Sequence, residues 1–139
     1  MISFIDTNVF VYSIDASQPA KQASALECIA RARDVGTVAL STQVLCEFYN
    51  ISTLKLRPAA TARQAAAYVA DLCEFHVMGS DTTSVRSALA LAQQHRLQWW
   101  DALILEAAIR SGADVLLTED GQHGQRFGKL TVQNPFAAG

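Results

Sequence analysis

Short apolar runs that do not alternate with polar residues constrain this chain most. Ile2–Ile5 ends at Asp6, Val38–Leu40 leads into Ser41, and Val115–Leu117 is apolar throughout. A strand wet on one face alternates with a period of two, whereas a continuous apolar run fits a strand buried on both faces. Leu130–Val132 and the residues around Val77, closed by Gly79, are two further short strand candidates. Helix-length amphipathic stretches separate these runs. A brief helix is expected from about Asn8 to Ile14. A second opens at Pro19, suited to a first helical turn, and runs to about Asp34, with Gly36 ending the region. Ser41 or Thr42 caps a third, reaching about Leu54. Pro58 opens a fourth, from about Ala59 to Cys73. Asp81 or Thr82 caps a fifth with the stripe Val85, Ala88, Leu89, Ala92. A sixth starts at or near Asp101 and runs through Arg110, with Gly112 as its stop.

Strands separated by helices imply an α/β fold of three layers, α/β/α, around a mainly parallel sheet of four to five short strands. The 139 residues fit one domain over 1–139, and 50% hydrophobic residues suffice for a core. No apolar run approaches the roughly 20 residues that cross a bilayer, so no membrane association is expected. The N-terminus lacks the basic and apolar segments of a signal peptide. Cys28, Cys46 and Cys73 are odd in number and widely spaced, which argues against a zinc site and a disulfide framework. Each falls in a helical pattern, where a free cysteine acts as a small hydrophobe. A reducing cytoplasm is the expected compartment. The net charge of −2 counts mildly against a dedicated nucleic-acid binder, though not against an enzyme that holds phosphate through a cation.

In a doubly wound sheet, ligands sit beyond the carboxyl ends of the strands, so polar residues just after each strand carry weight. Asp6 directly follows the first strand, and Asp120 follows Val115–Leu117 with Thr118 and Glu119 between. Each has an ordinary explanation: Asp6 as a helix cap, Asp120 as a surface turn. Asp101 likewise suits a first helical turn, where the helix dipole favours a carboxylate. Glu47 borders the apolar stripe Val44, Phe48, Ile51 rather than lying opposite it, and a carboxylate near a core face is costly unless paired. Several carboxylates on one rim repel one another and call for a cation. An all-oxygen donor set suits Mg²⁺ or Mn²⁺. Metal-assisted phosphodiester hydrolysis is the natural reaction class.

Four segments resemble motifs of PIN domains, and more narrowly of the VapC-type toxins of bacterial toxin–antitoxin pairs. They are Ile5-Asp6-Thr7-Asn8, Ser41–Phe48, Trp100-Asp101-Ala102-Leu103-Ile104, and Leu117–Asp120 with Gln122-His123-Gly124. They occur in the family's order over nearly the whole chain. The resemblance implies an Mg²⁺- or Mn²⁺-dependent endoribonuclease that dimerises and is inhibited by a small VapB-like antitoxin. Carried over, Asp6, Glu47 and Asp101 match the three core metal-binding acids and Asp120 the more variable fourth. Asn8 and Thr118 match supporting polar residues. Glu47 would ligate a second ion or orient the attacking water. His123 stands where many relatives carry an acid and, with Arg126, is a candidate RNA contact. Arg57, Arg63, Arg86 and Arg96 are further phosphate candidates. Trp99 and Trp100 are core residues or a nucleobase platform.

Other readings fare less well. A phosphoaspartate phosphatase would place a second aspartate where Asn8 stands, and Lys21, Lys55 and Lys129 are poorly placed for its phosphate. A receiver domain would carry its acceptor after a central strand rather than the first. A PIN-like module that binds RNA or a partner without cutting is the remaining alternative. The helical pair across Thr42–Cys73, with Tyr49, Leu54, Leu56 and Tyr68 interspersed by Lys55 and Arg57, is the expected antitoxin groove.

Overall fold

The computed structural model describes residues 1–137. The apolar runs become strands β1 (Ile2–Ile5), β2 (Thr37–Ser41), β3 (His76–Met78), β4 (Val115–Leu117) and β6 (Leu130–Gln133), with a two-residue β5 at Arg126–Phe127. Together they form one sheet in the order β3-β2-β1-β4-β6-β5. All pairings are parallel except β5 with β6. The sheet therefore has one strand more than expected. β5 is too short to leave a periodic signature, and its hairpin to β6 turns through Gly128, whose φ is +61°.

The helices are α1 (Thr7–Tyr12), α2 (Pro19–Val35), α3 (Thr42–Leu54), α4 (Ala62–Leu72), α5 (Thr82–His95) and α6 (Trp99–Arg110). α2 packs on β1 and β2, and α6 packs on β2 with α5 outside it. The sheet is the middle of three layers. Phe4, Ile5, Leu40, Val44 and Phe48 are fully or almost fully buried at the centre, with Leu116 and Val132 continuing the core toward the far edge. Burial on both faces explains why these runs do not alternate.

Local chemistry sets most boundaries. Ser41 caps α3, accepting from the Val44 N–H. Asp81 caps α5 by accepting from the Ser84 N–H, and its own N–H donates to the Ser84 hydroxyl. α4 starts three residues later than the proline suggested, because Thr61 and Gln64 form a reciprocal capping box. α6 starts at Trp99, which puts Asp101 inside the first turn. Gly112 follows α6 with φ +78°, a left-handed stop that other residues adopt at a cost. The cysteines differ from expectation. Cys28 is half-buried, but Cys46 and Cys73 are exposed, and all three are free.

The chain runs from β1 outward to β2 and β3, then returns to β4 on the other side of β1. The strand order reverses between β1 and β4. A crevice opens there, beyond the carboxyl ends of the strands.

Candidate active site

The site is built from the ends of two neighbouring strands and the first halves of two helices. Asp6 is the residue after β1, and its N–H donates to the Leu117 carbonyl of β4 at 3.0 Å. Thr118, Glu119 and Asp120 leave β4 at the same rim. Glu47 lies on the second turn of α3 and Asp101 on the first turn of α6. Asp6, Glu47, Asp101 and Asp120 all line one cavity of about 400 Å³. Its other walls include Thr7, Asn8, Tyr12, Asp15, Gln43 and Trp100. The cavity thus carries five carboxylates, counting Asp15, and no lysine, arginine or histidine.

The acids differ sharply in burial. Asp6 is only 7% exposed. Its Oδ1 caps α1 by accepting from the Thr7 N–H at 2.7 Å, and its Oδ2 accepts from the Thr118 hydroxyl at 2.8 Å. Capping α1 therefore does not withdraw Asp6 from the cavity, which it also lines. Burial pushes its carboxyl up to about 6, and the negative charges of Asp120 and Glu47 add to the rise; the hydrogen bonds from Thr118 and Thr7 act the other way. Glu47 is half-buried, and its Oε1 accepts from the Thr7 hydroxyl at 2.8 Å. Asp101 and Asp120 are exposed. Partial desolvation raises the Asp101 carboxyl, and Asp120 and Glu47 raise it further.

Two polar residues tie the rim together. Asn8 donates to the Thr118 hydroxyl and to Asp120 Oδ2, both at 3.3 Å, and its Oδ1 accepts the Glu119 N–H at 3.2 Å. The Thr118 hydroxyl accepts the Asp120 N–H at 3.0 Å while donating to Asp6. Gly121, with φ +81°, lets the chain turn directly after Asp120.

The donors are hard oxygens, and no cationic side chain in the cavity offsets their charge. Among the described residues, no three carboxylates, imidazoles or thiolates converge on a single point. This arrangement fits a small divalent cation that keeps several waters and takes only one or two carboxylates directly. Asp6, in reach of Asp120 and Glu47 and raised by both, is the natural member of such a set.

Other expected contacts lie elsewhere. His123 is exposed and borders a separate cavity beside Cys28, Glu27 and Arg31 of α2. Its Nδ1 accepts the Asn134 N–H at 2.9 Å. Arg126 sits on the short edge strand β5. Arg57, Arg63, Arg86, Arg96 and Arg126 are all exposed, and none lines the acidic cavity. Trp99 is half-buried, whereas Trp100 is 57% exposed at the cavity's edge. Tyr49, Leu54 and Tyr68 are exposed as expected, but Leu56 is buried in the core. Thr7 was not singled out from the sequence. Nothing local marks it, because its partner Glu47 lies 40 positions away.

The model of the PIN domain family matches residues 3–127. No curated protein sequence matches the chain. Solved structures share its fold at low identity. A toxin–antitoxin complex from Klebsiella pneumoniae has a TM-score of 0.69 at 17% identity, covering 98% of this chain and 99% of that one. A VapBC complex of Rickettsia felis bound to promoter DNA has a TM-score of 0.63 at 21% identity, covering 96% and 98%. A sarcin–ricin-loop-cleaving VapC toxin of Mycobacterium tuberculosis has a TM-score of 0.62 at 16% identity, covering 82% and 86%.

Proposed function

The chain belongs to the PIN domain family, and from that footing we propose that it is an Mg²⁺- or Mn²⁺-dependent endoribonuclease, the toxin partner of a toxin–antitoxin pair. One observation carries the nuclease reading: four acids from β1, α3, α6 and the β4 rim share one cavity that holds no basic side chain. The proposed ligands are Asp6, Asp101 and Asp120, directly or through water, with Glu47 beside them. A bound divalent cation would supply Lewis acidity, lowering the pKa of a water and offsetting charge on the leaving oxygen.

The chain's own groups divide the remaining work. The Thr7 hydroxyl occupies Glu47 Oε1 and fixes the carboxylate, leaving Oε2 to accept a proton from the attacking water. Water oxygen bonds to phosphorus as the P–O3′ bond breaks. The leaving O3′ takes a proton from solvent, giving a 3′-hydroxyl and a 5′-phosphate. Asn8 and Thr118 hold Asp120 and Asp6 in register. The Thr118 hydroxyl proton is committed to Asp6, and its backbone N–H to the Gln133 carbonyl.

The toxin reading draws on the fold-level likeness to VapBC complexes and on the exposed apolar side chains Tyr49, Leu54 and Tyr68 of α3 and α4, the proposed seat of a VapB-like antitoxin. A homodimer and a cytoplasmic setting follow from the same reading. Three free cysteines agree with a reducing compartment. Among the described residues, no helix is long and apolar enough to cross a membrane.

The deciding experiment is cleavage of a single-stranded RNA with Mg²⁺ or Mn²⁺ by wild type, Asp6→Asn and Asp101→Asn. The wild type alone should cut, and chelation should stop it. RNA that is bound but left intact by the wild type would favour a non-cleaving module instead. Equal cutting by all three proteins would remove the proposed site.

A further inference from the structure

Asp120 is the exposed member of the proposed ligand set that sits on a loop, and the groups around it, joined through the backbone of 119–123, form a ring. On one side stands Glu119. Lys21 of α2 donates to its Oε2 at 3.0 Å, and the Tyr12 hydroxyl of α1 donates to its Oε1 at 3.2 Å. Lys21 also donates to the Tyr12 hydroxyl at 3.2 Å and lies over the Tyr12 ring, 4.6 Å from its centroid. On the other side stands His123, whose Nδ1 holds the Asn134 N–H. Asn134 Oδ1 then accepts the Phe136 N–H at 2.8 Å. The Phe136 ring meets the Tyr12 ring edge-on at 4.9 Å and lies 5.7 Å from Lys21 Nζ. The path thus runs from Lys21 through Glu119, past Asp120 to His123, along Asn134 and Phe136, and back to Tyr12 and Lys21.

We propose that this ring is a brace in which Lys21, Glu119, His123 and Phe136 act as positioning residues for Asp120. It rests on the reading of Asp120 as a metal-site acid, and it gives His123 a task other than touching RNA. The geometry favours positioning over mere stability. Backbone hydrogen bonds already fasten the loop's ends to β6, from Thr118 N–H to the Gln133 carbonyl and from Gly124 N–H to the Val132 carbonyl. The side-chain anchors instead grip residues 119 and 123, which flank Asp120. Tyr12 lines the acidic cavity itself, so the brace borders the site it aligns.

The test uses full-length Lys21→Met, Lys21→Arg and His123→Ala. Amide exchange of residues 118–124 is measured in chelator, and Mn²⁺ affinity is measured by calorimetry. Lys21→Met should speed exchange in that segment about fivefold, the scale of one partly exposed ion pair plus a cation–π contact. Exchange in β1 and α3 should not change. Its Mn²⁺ affinity should fall about tenfold, the lower end for groups that orient metal ligands, and Lys21→Arg should restore both. His123→Ala should loosen the same segment. Unchanged exchange in 118–124 would overturn the brace. So would faster exchange with Mn²⁺ affinity intact. Should the wild type bind no Mn²⁺, the metal-site reading falls and the positioning role falls with it, whereas wild-type binding that Lys21→Met leaves intact overturns the brace alone.

Discussion

Asp6→Asn should make the metal-free protein more stable, and only above about pH 5. An ordinary aspartate titrates near 3.8, whereas in the fold Asp6 is pushed up to about 6. Between those values the folded state holds a proton that the unfolded chain has lost. Stability from this group therefore falls as pH rises from about 4 to about 6 and stays low above that. At about 1.4 kcal/mol per tenfold change, the ionised carboxylate costs the fold about 3 kcal/mol. Asparagine carries no charge, and its Oδ1 still accepts the Thr7 N–H. Its amide, however, meets the Thr118 hydroxyl, which already accepts from Asn8 and Asp120. That mismatch costs about 1 kcal/mol. The net gain at pH 8 is about 2 kcal/mol, or about 6 °C in Tm for a chain of this size. At pH 4.5 most of the relief is gone, and the two proteins should melt within about 2 °C of each other. Thermal denaturation in EDTA at the two pH values measures this directly. Adding Mn²⁺ at pH 8 should raise the wild-type Tm and leave the variant's unchanged. A variant less stable than wild type at pH 8 in EDTA, or a difference independent of pH, would refute the argument.

Thr7→Val removes the only hydrogen bond, among the described residues, that the Glu47 carboxylate accepts; it should lower kcat for RNA cleavage about tenfold or more with KM nearly unchanged, as expected of a group that aligns a general base. Trp100→Ala should weaken binding of a single-stranded oligonucleotide at least fivefold, about 1 kcal/mol of lost stacking. Fluorescence anisotropy with Ca²⁺ in place of Mg²⁺ reads this without cleavage, and affinity unchanged from wild type would return Trp100 to a packing role.

The fold was legible where burial wrote itself into the sequence. β1, β2 and β4 are covered on both faces, so their largely apolar runs do not alternate, and each ends within a residue or two of its expected limit. The caps at Ser41 and Asp81 were legible because a single side chain fixes a helix start. β5 was not, since two residues carry no period. Nor was the start of α4, where the Thr61–Gln64 box overrides the proline. The four acids were visible as positions after strands or early in helices. What the sequence could not display was their partners. Thr7 meets Glu47, Asn8 meets Asp120, and Lys21 meets Glu119, over separations of 40, 112 and 98 residues. His123 shows the same limit, since nothing in its motif announced that Nδ1 accepts the Asn134 N–H, 11 residues on.

The gradient of burial across the acids explains why they are not interchangeable. Asp6 is locked by two hydrogen bonds in the core, so its position is fixed and its charge is expensive. Asp101 and Asp120 are exposed, so the core does not fix them and their positions must be held by other means. For Asp101 the means is the first turn of α6, a rigid element. For Asp120, on a turn, it is Asn8, Thr118 and the groups that flank the loop. Glu47 lies between the extremes, half-buried and held by one threonine. A cation placed among them would gain most from Asp6, because that carboxylate is the one whose charge the fold alone cannot offset. On the proposed reading, the cost of ionising Asp6 would thus also drive occupation of the site, and the fold would bear that cost at its most deeply buried acid.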